Sequence, residues 1–215
     1  MVSILLKNNS TEVIVSLIEN MHSLIEIVKG NTTAIEEKIL PALTTLSGDK
    51  TWRIRLAIVN FMPKLAPMIG CDLFTIKLQQ VLINLLMDSV FTIREAAADS
   101  LIKLAKDSYT QVWLQDIFTE ELRSFSRHER FMIRIQTVHF IMKLREEVSK
   151  ETLNKNFVEV LLLLIEDPVP NIRFNVCKAI EAVYPKLTPG NKIKCEQAVK
   201  KMESDKDFDV QYFAK

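Results

Sequence analysis

The sequence predicts an all-α protein in which helical pairs stack side by side into an α-α superhelix, or solenoid. Three observations lead to this prediction: a motif that recurs about every 39 residues, apolar stretches of helical period on both sides of each copy, and only 4 Gly among 215 residues. Because glycine supplies the positive-φ positions of tight sheet turns, its scarcity argues against a sheet-rich fold.

The recurring motif consists of an acidic residue, five intervening positions and an arginine. Full copies occupy residues 49–55, 88–94, 128–134 and 167–173, although the third has a histidine in the acidic position. A copy at 205–211 carries Gln211 in place of arginine, and a degenerate copy at 8–14 carries Ile14. The arginine position recurs after 41, 39, 40, 39 and 38 residues from Ile14 to Gln211. Such spacing is typical of a repeat architecture.

Apolar residues of helical period flank each motif, so each repeat is predicted to be helix, tight turn, helix. The stripe before the motif at 88–94 is Leu78, Val81, Leu82, Leu85 and Leu86, and the stripe after it is Ile93, Ala97, Leu101 and Leu104. One helical pair cannot bury its own stripe, so neighbouring pairs must stack. We therefore expect one solenoid domain over residues 1–215, with five to six repeats at 1–30 (partial), 35–70, 74–110, 114–148, 153–188 and 192–215 (partial).

The acidic residue and the arginine of the motif have a predicted mechanical role. An aspartate can accept local backbone N–H bonds in a turn, whereas an arginine in the first turn of a helix opposes the macrodipole. A repeated unfavourable placement needs a compensating partner, and the aspartate of an adjacent repeat would give a carboxylate–guanidinium ladder. The alternative interpretation is that each arginine is solvated. The ladder residues are predicted to be Asp49, Arg55, Asp88, Arg94, Arg134, Asp167 and Arg173.

The segments around the motifs resemble a known family. Helix–turn–helix units with D-x-x-x-x-(V/I)-R are similar to HEAT repeats, and segments 52–66, 93–97, 167–176 and 209–214 resemble the C-terminal repeats of the protein phosphatase 2A scaffold (A) subunit family. The resemblance implies a non-catalytic scaffold whose turns bind the phosphatase catalytic subunit. The repeats of that family that bind a regulatory B-type subunit have no counterpart here, so a B-type subunit is not expected to bind this chain alone.

One position in the turn carries an aromatic residue or a proline in five copies. This position lies three residues after the acidic one and holds Trp52, Phe91, Phe131, Pro170 and Phe208. Turns usually carry polar residues, so these side chains either form a protein-binding row or pack over the neighbouring turns. The resemblance favours binding, and the predicted partner-binding residues are Trp52, Arg53, Val90, Phe91, Phe131, Val169, Asn171 and Phe208.

Other classes of function find little support in the sequence. The net charge is +1 and there is no basic stripe, so neither nucleic acid nor a membrane surface is an expected partner. The histidines and cysteines lack metal-ligand spacing, and no phosphate loop or catalytic motif occurs, so we expect no enzyme, no metal and no cofactor. Three widely spaced cysteines indicate reduced thiols and a cytoplasmic protein, with the nucleus as an additional compartment. A second interpretation is another HEAT adaptor, such as a transport-receptor-like solenoid that binds peptides.

Overall fold

The structure, a computed structural model, describes residues 10–28, 32–106 and 120–215. In these ranges every regular element is a helix, which confirms the all-α class. The chain divides into two compact units, Met1–Leu104 and Ala105–Lys215. Parts of the predicted repeats 1–30, 74–110 and 114–148 lie outside the described residues, and the organisation as one domain stays a prediction.

The first unit contains five helices in its described residues and most of a sixth. They are α1 (Thr11–Glu19), α2 (Met21–Val28), α3 (residues 32–46), α4 (Trp52–Ile69), α5 (Cys71–Leu86) and α6 (Phe91–Lys106). The second helices of consecutive repeats share a layer: α1 packs on α4, and the Ser100 hydroxyl of α6 donates a 2.9 Å bond to the carbonyl of Val59 in α4. The first helices, α3 and α5, pack on each other and on α4.

A single glycine separates α4 from α5. Gly70 has a φ of 90°, a region that side-chain-bearing residues rarely adopt, and it joins the two helices with no further linker. Because this connection is so short, α5 begins directly where α4 ends. The junction therefore fixes the step from one repeat to the next within the first unit.

The second unit has the same alternation of helices. Its elements are α7 (residues 120–126), α8 (Phe131–Leu144), α9 (residues 150–164), α10 (Pro170–Val183), a 3-10 turn (Tyr184–Lys186), α11 (Pro189–Met202) and α12 (Phe208–Phe213). The second helices pack in sequence, α8 on α10 and α10 on α12, while α9 packs on α10 and α11. Two π-helical segments, Ile35–Ile39 in α3 and Leu153–Phe157 in α9, interrupt otherwise α-helical first helices.

The predicted apolar stripes form the core. Every stripe residue named above in the repeat 74–110 is at most 7% exposed, and most are fully buried. In the second unit, Ile172, Val176 and Val183 of α10 are likewise completely buried between the two layers. Stacking thus buries stripes that one helical pair would leave in water.

A group of polar contacts, which we call the polar bracket, joins the N-terminal end of α9 to the segment before and at the start of α11. The Asn154 amide donates to the carbonyl of Lys186 at 3.1 Å, and its oxygen accepts bonds from the Thr188 N–H and the Asn191 amide at 2.8 and 3.0 Å. Lys186 in turn donates to the Arg145 carbonyl and to Glu146. This bracket fixes the loop before α11 on α9.

Candidate functional site

The turns between the two helices of each repeat share one construction, and we call them the turn edge of each unit. In the turn before α6, the Asp88 Oδ1 atom accepts a 2.8 Å bond from the N–H of Val90. Asp49, Asp167 and Asp205 accept the equivalent bond two residues on, at 2.7, 2.9 and 2.9 Å. The carboxylate therefore replaces a backbone acceptor and closes the turn.

The arginine of each motif binds the backbone of its own turn. Arg55 Nη1 donates to the carbonyl of Asp49 at 2.6 Å, and Arg94 Nη1 donates to that of Asp88 at 2.7 Å. Arg134 and Arg173 make the same bond at 2.8 Å, and Gln211 supplies it with its amide at 2.6 Å. These bonds satisfy a carbonyl of each turn with a side chain from the helix that follows it.

Three arginines also reach the aspartate of the following repeat. Arg55 Nε and Nη2 bind Asp88 at 2.7 and 2.9 Å, and Arg134 binds Asp167 at 2.6 and 3.1 Å. Arg173 binds Asp205 in the same way at 2.8 and 2.7 Å. Each pair is bidentate, and its side chains are mostly buried. One rung lies in the first unit and two consecutive rungs lie in the second.

The rungs shift the pKa values of two of their aspartates and of all three arginines. Burial alone would raise the pKa of Asp88, but the bonds from Arg55 and from the Val90 N–H outweigh it and leave that pKa below its usual range. The bond from Arg173 lowers the pKa of Asp205. Conversely, the bonds to the aspartates raise the pKa values of Arg55, Arg134 and Arg173. The rungs are therefore charged pairs at neutral pH.

The third turn has a histidine, His128, in place of the aspartate. His128 Nδ1 accepts a 3.0 Å bond from the N–H of Arg130, so the imidazole takes the place of the aspartate in closing the turn. That bond requires an unprotonated Nδ1, with any ring proton on Nε2. An imidazole brings no negative charge, so residue 128 cannot supply the carboxylate of a rung.

The aromatic residues of the motif lie on the surface of the turn edge. Trp52, Phe91, Phe131 and Phe208 are each the first residue of their helix and are 38%, 57%, 45% and 84% exposed. Pro170 holds the same position at the start of α10 and is half-buried. Rings packed over a neighbouring turn would be covered, and Phe208 in particular is not. For Phe208, this exposure does not fit the interpretation as a structural cap.

The other predicted contact residues surround these rings. Arg53 is exposed, and its guanidinium lies 4.8 Å from the Trp52 ring centroid. Val90 and Val169 each directly precede a helix, and both are half-buried. Asn171 is exposed, and both its carbonyl and its side-chain oxygen accept bonds from the Asn175 amide. All eight predicted partner-binding residues thus lie on the turn edges, four in each unit.

Sequence patterns missed part of this construction. The bond from each arginine to its own turn was not predicted, although the constant six-residue offset from the acidic position could have indicated it. The acceptor role of His128 was also not predicted, since histidine interrupted the acidic pattern. Among the described residues, no group of three or more histidine, cysteine or acidic side chains could hold a metal ion. No described helix is long and apolar enough to cross a bilayer.

Comparison with known proteins identifies the family of the chain. It matches the family model described as "PIK3R4-like, middle domain" over residues 1–172. The chain belongs to this PIK3R4-like middle-domain family.

This PIK3R4-like chain is also similar to phosphatase regulatory subunits. It is 36% identical over 63 residues to the regulatory A subunit of protein phosphatase PP2A from Schizosaccharomyces pombe. The matched stretch covers 29% of this chain and 11% of that protein. The identity is 30% over 113 residues with the Saccharomyces cerevisiae protein of that name, covering 48% and 18%. It is 22% over 223 residues with serine/threonine-protein phosphatase 4 regulatory subunit 4 of Homo sapiens, covering 94% and 26%. The matches span about a quarter or less of these relatives.

Solved structures share the architecture. Cex1p superposes with a TM-score of 0.63 at 15% identity, covering 93% of this chain and 40% of that one. Computationally designed armadillo repeat proteins for modular peptide recognition superpose with a TM-score of 0.50 at 19% identity, covering 97% and 93%. These similarities show the fold alone and confirm a helical-repeat solenoid of the HEAT and armadillo type.

Proposed function

We propose that this chain is a non-catalytic scaffold that binds the catalytic subunit of a serine/threonine phosphatase of the 2A type through its turn edges. The observation that carries the proposal is the exposure of one aromatic side chain at the same position of four turns. Similarity to regulatory subunits of protein phosphatases supports the choice of partner.

The turn edge has the physical properties of a binding surface. Exposed aromatic rings remove a large apolar area from water when a partner covers them, and such residues dominate interface energies. The rings are also held in place, because each stands on a turn closed by an aspartate or a histidine and bonded by an arginine or a glutamine. Less conformational entropy is therefore lost on binding than from a mobile loop.

The experiment is a binding titration between the chain and purified protein phosphatase 2A catalytic subunit, followed by biolayer interferometry. Trp52→Ala with Phe91→Ala tests the first unit, and Phe131→Ala with Phe208→Ala tests the second. An anchor residue at an interface contributes about 2 kcal/mol or more, so each double variant should weaken binding at least about 30-fold.

Exposed apolar residues outside the turn edges provide matched controls. Ile76 of α5 and Ile193 of α11 are 74% and 55% exposed, and their replacement by alanine should leave the affinity within about twofold of wild type, below about 0.5 kcal/mol. Circular dichroism and thermal melts establish that each variant is folded. Undiminished binding by both double variants, or equal losses in the controls, would refute the proposal.

A further inference from the structure

One of the turn-closing aspartates lacks the arginine that the other three bind. Asp88, Asp167 and Asp205 each receive a bidentate guanidinium from the repeat before them. Asp49 closes its turn in the same way, with a 2.7 Å bond from the N–H of Thr51. Among the described residues, however, its carboxylate takes part in no ion pair. Asp49 is therefore an aspartate built for a rung that the first repeat does not complete.

The cause lies in α1. The arginine position of this helix is occupied by Ile14, whose side chain is buried. α1 packs on α4, and the charge of Arg53 contributes, after local hydrogen bonds, to a lowered pKa of Glu12. The first turn of α1 therefore lies beside the turn at 49–53, as the start of each rung lies beside the turn that it reaches, but it offers no guanidinium.

Asp49 lies where a partner on the turn edge would meet it. Its side chain is half-buried, and Trp52 follows three residues later with a ring that is 38% exposed. A partner that covers this ring therefore also covers the carboxylate. Exclusion of water by the partner would strengthen the attraction between the carboxylate and a cation.

The surroundings of Asp49 contain three cations of the chain itself. Arg55 is already bound to the aspartate of the next repeat and to carbonyls of its own turn. Arg53 lies over the Trp52 ring, 4.8 Å from its centroid. Lys50 is exposed, and its flexible side chain can extend into water. None of the three binds the Asp49 carboxylate.

The last turn shows that such surroundings are compatible with a rung. Lys206 follows Asp205 as Lys50 follows Asp49, and Asp205 nevertheless binds Arg173 at 2.8 and 2.7 Å. In both turns a nearby acidic residue adds negative charge. A guanidinium is therefore the ligand that the construction of the turn fits.

We propose that Asp49 binds an arginine of the phosphatase catalytic subunit, so that the partner supplies the guanidinium that α1 lacks. The proposal rests on the proposed function, because it names a group of the partner that the turn edge recognises. Arginine fits better than lysine, because its planar fork donates to both carboxylate oxygens at once, as it does in the three rungs.

Asp49→Asn tests the carboxylate without opening the turn. The asparagine oxygen can still accept the Thr51 N–H, whereas the negative charge is lost. In a titration with purified protein phosphatase 2A catalytic subunit, this variant should weaken binding about tenfold or more, the loss expected when a covered charge pair loses one charge. The matched control is Asp72→Asn, which removes the same charge from an exposed aspartate at the start of α5, at the other end of α4. It should stay within about twofold of wild type.

A second variant supplies the arginine from the chain itself. Arginine occupies the equivalent position of α4, α8 and α10, so Ile14→Arg should place a guanidinium on Asp49. Urea unfolding of Ile14→Arg, Asp49→Asn and the double variant should then show favourable coupling between the two positions, measured without any partner. Because the site is filled, Ile14→Arg should also weaken binding of the catalytic subunit about tenfold.

The outcomes separate the two proposals. If Trp52→Ala with Phe91→Ala weakens binding but Asp49→Asn does not, the arginine proposal is wrong and the proposed function stands. Coupling between residues 14 and 49 without loss of partner binding would also overturn it, because the partner then supplies no arginine. If Asp49→Asn and Ile14→Arg weaken binding and Asp72→Asn does not, Asp49 is the arginine site. If the wild-type chain does not bind the catalytic subunit, the proposed function fails and this proposal fails with it.

Discussion

Removal of one arginine from the ladder measures what a rung contributes to stability. Arg134 is the most informative choice, because its partner Asp167 has a side chain only 4% exposed and is bound at 2.6 and 3.1 Å. After Arg134→Ala, the two rung bonds are lost and the Asp167 carboxylate keeps the bond from the Val169 N–H. Breaking a buried ion pair by removing one partner costs about 3–5 kcal/mol.

We expect the lower end of this range, about 3 kcal/mol, because the Arg134 side chain retains 13% exposure and water can partly replace it. For a chain of 215 residues this corresponds to a fall in Tm of about 6–12 °C. Urea unfolding followed by the far-ultraviolet circular dichroism of the helices gives the free energy, and a thermal melt gives Tm.

A second substitution distinguishes the ion pair from lost packing. Asp167→Asn retains an oxygen for the Val169 N–H but removes the charge, so added to Arg134→Ala it should recover part of the lost stability. Arg123→Ala, which breaks an exposed pair with Glu159, is the control and should have a much smaller effect. A loss below about 1 kcal/mol for Arg134→Ala, or no recovery by Asp167→Asn, would refute the ladder as a stabilising device.

Three further predictions follow from the same structure. The lowered pKa values of Asp88 and Asp205 mean that their rungs contribute fully above the unfolded aspartate pKa of about 3.9, and that this contribution is lost as the pH falls through the lower folded values. Urea midpoints should therefore drop as the pH falls below about 4, and Asp88→Asn should flatten the drop; an unchanged slope would contradict this. Burial raises the pKa of the Cys177 thiol to about 11 and also raises the pKa of Cys195. Brief alkylation of the native protein near neutral pH should therefore label half-exposed Cys71 first, as measured by mass spectrometry. Equal labelling of all three cysteines would contradict the burial of Cys177 and Cys195. Asn154→Ala should cost about 2 kcal/mol in urea unfolding because it removes the bracket on α9, whereas a neutral result would show that water replaces its bonds.

The repeat and its core could be predicted because they depend on spacing alone. A motif of constant period marks the turns, and helical periodicity marks which residues face the neighbouring pair. Ile172 and Val176 belong to such a periodic stripe, and both are completely buried. The pairing of Arg55 with Asp88 followed from a physical conflict, a cation at the start of a helix, that a carboxylate of another repeat could offset.

The exposure of the rings could not be predicted, because the same aromatic pattern fits both a covered cap and a binding row. The structure adds that each of these side chains is the first residue of its helix and that Phe208 is largely exposed. The π-helical segment Leu153–Phe157 was equally hidden, since nothing in its composition distinguishes it from α-helix.

The dual use of each aspartate has a consequence for how such a chain can grow or shrink. Asp167 closes its own turn with one oxygen and binds the arginine of the preceding repeat with both, so it belongs to two repeats at once. Duplication or deletion of whole periods preserves the separation of 32 or 33 residues between the arginine and the aspartate of a rung. A cut at any other length strands a buried charge. The ladder therefore favours gain and loss of sequence in whole units of about 39 residues.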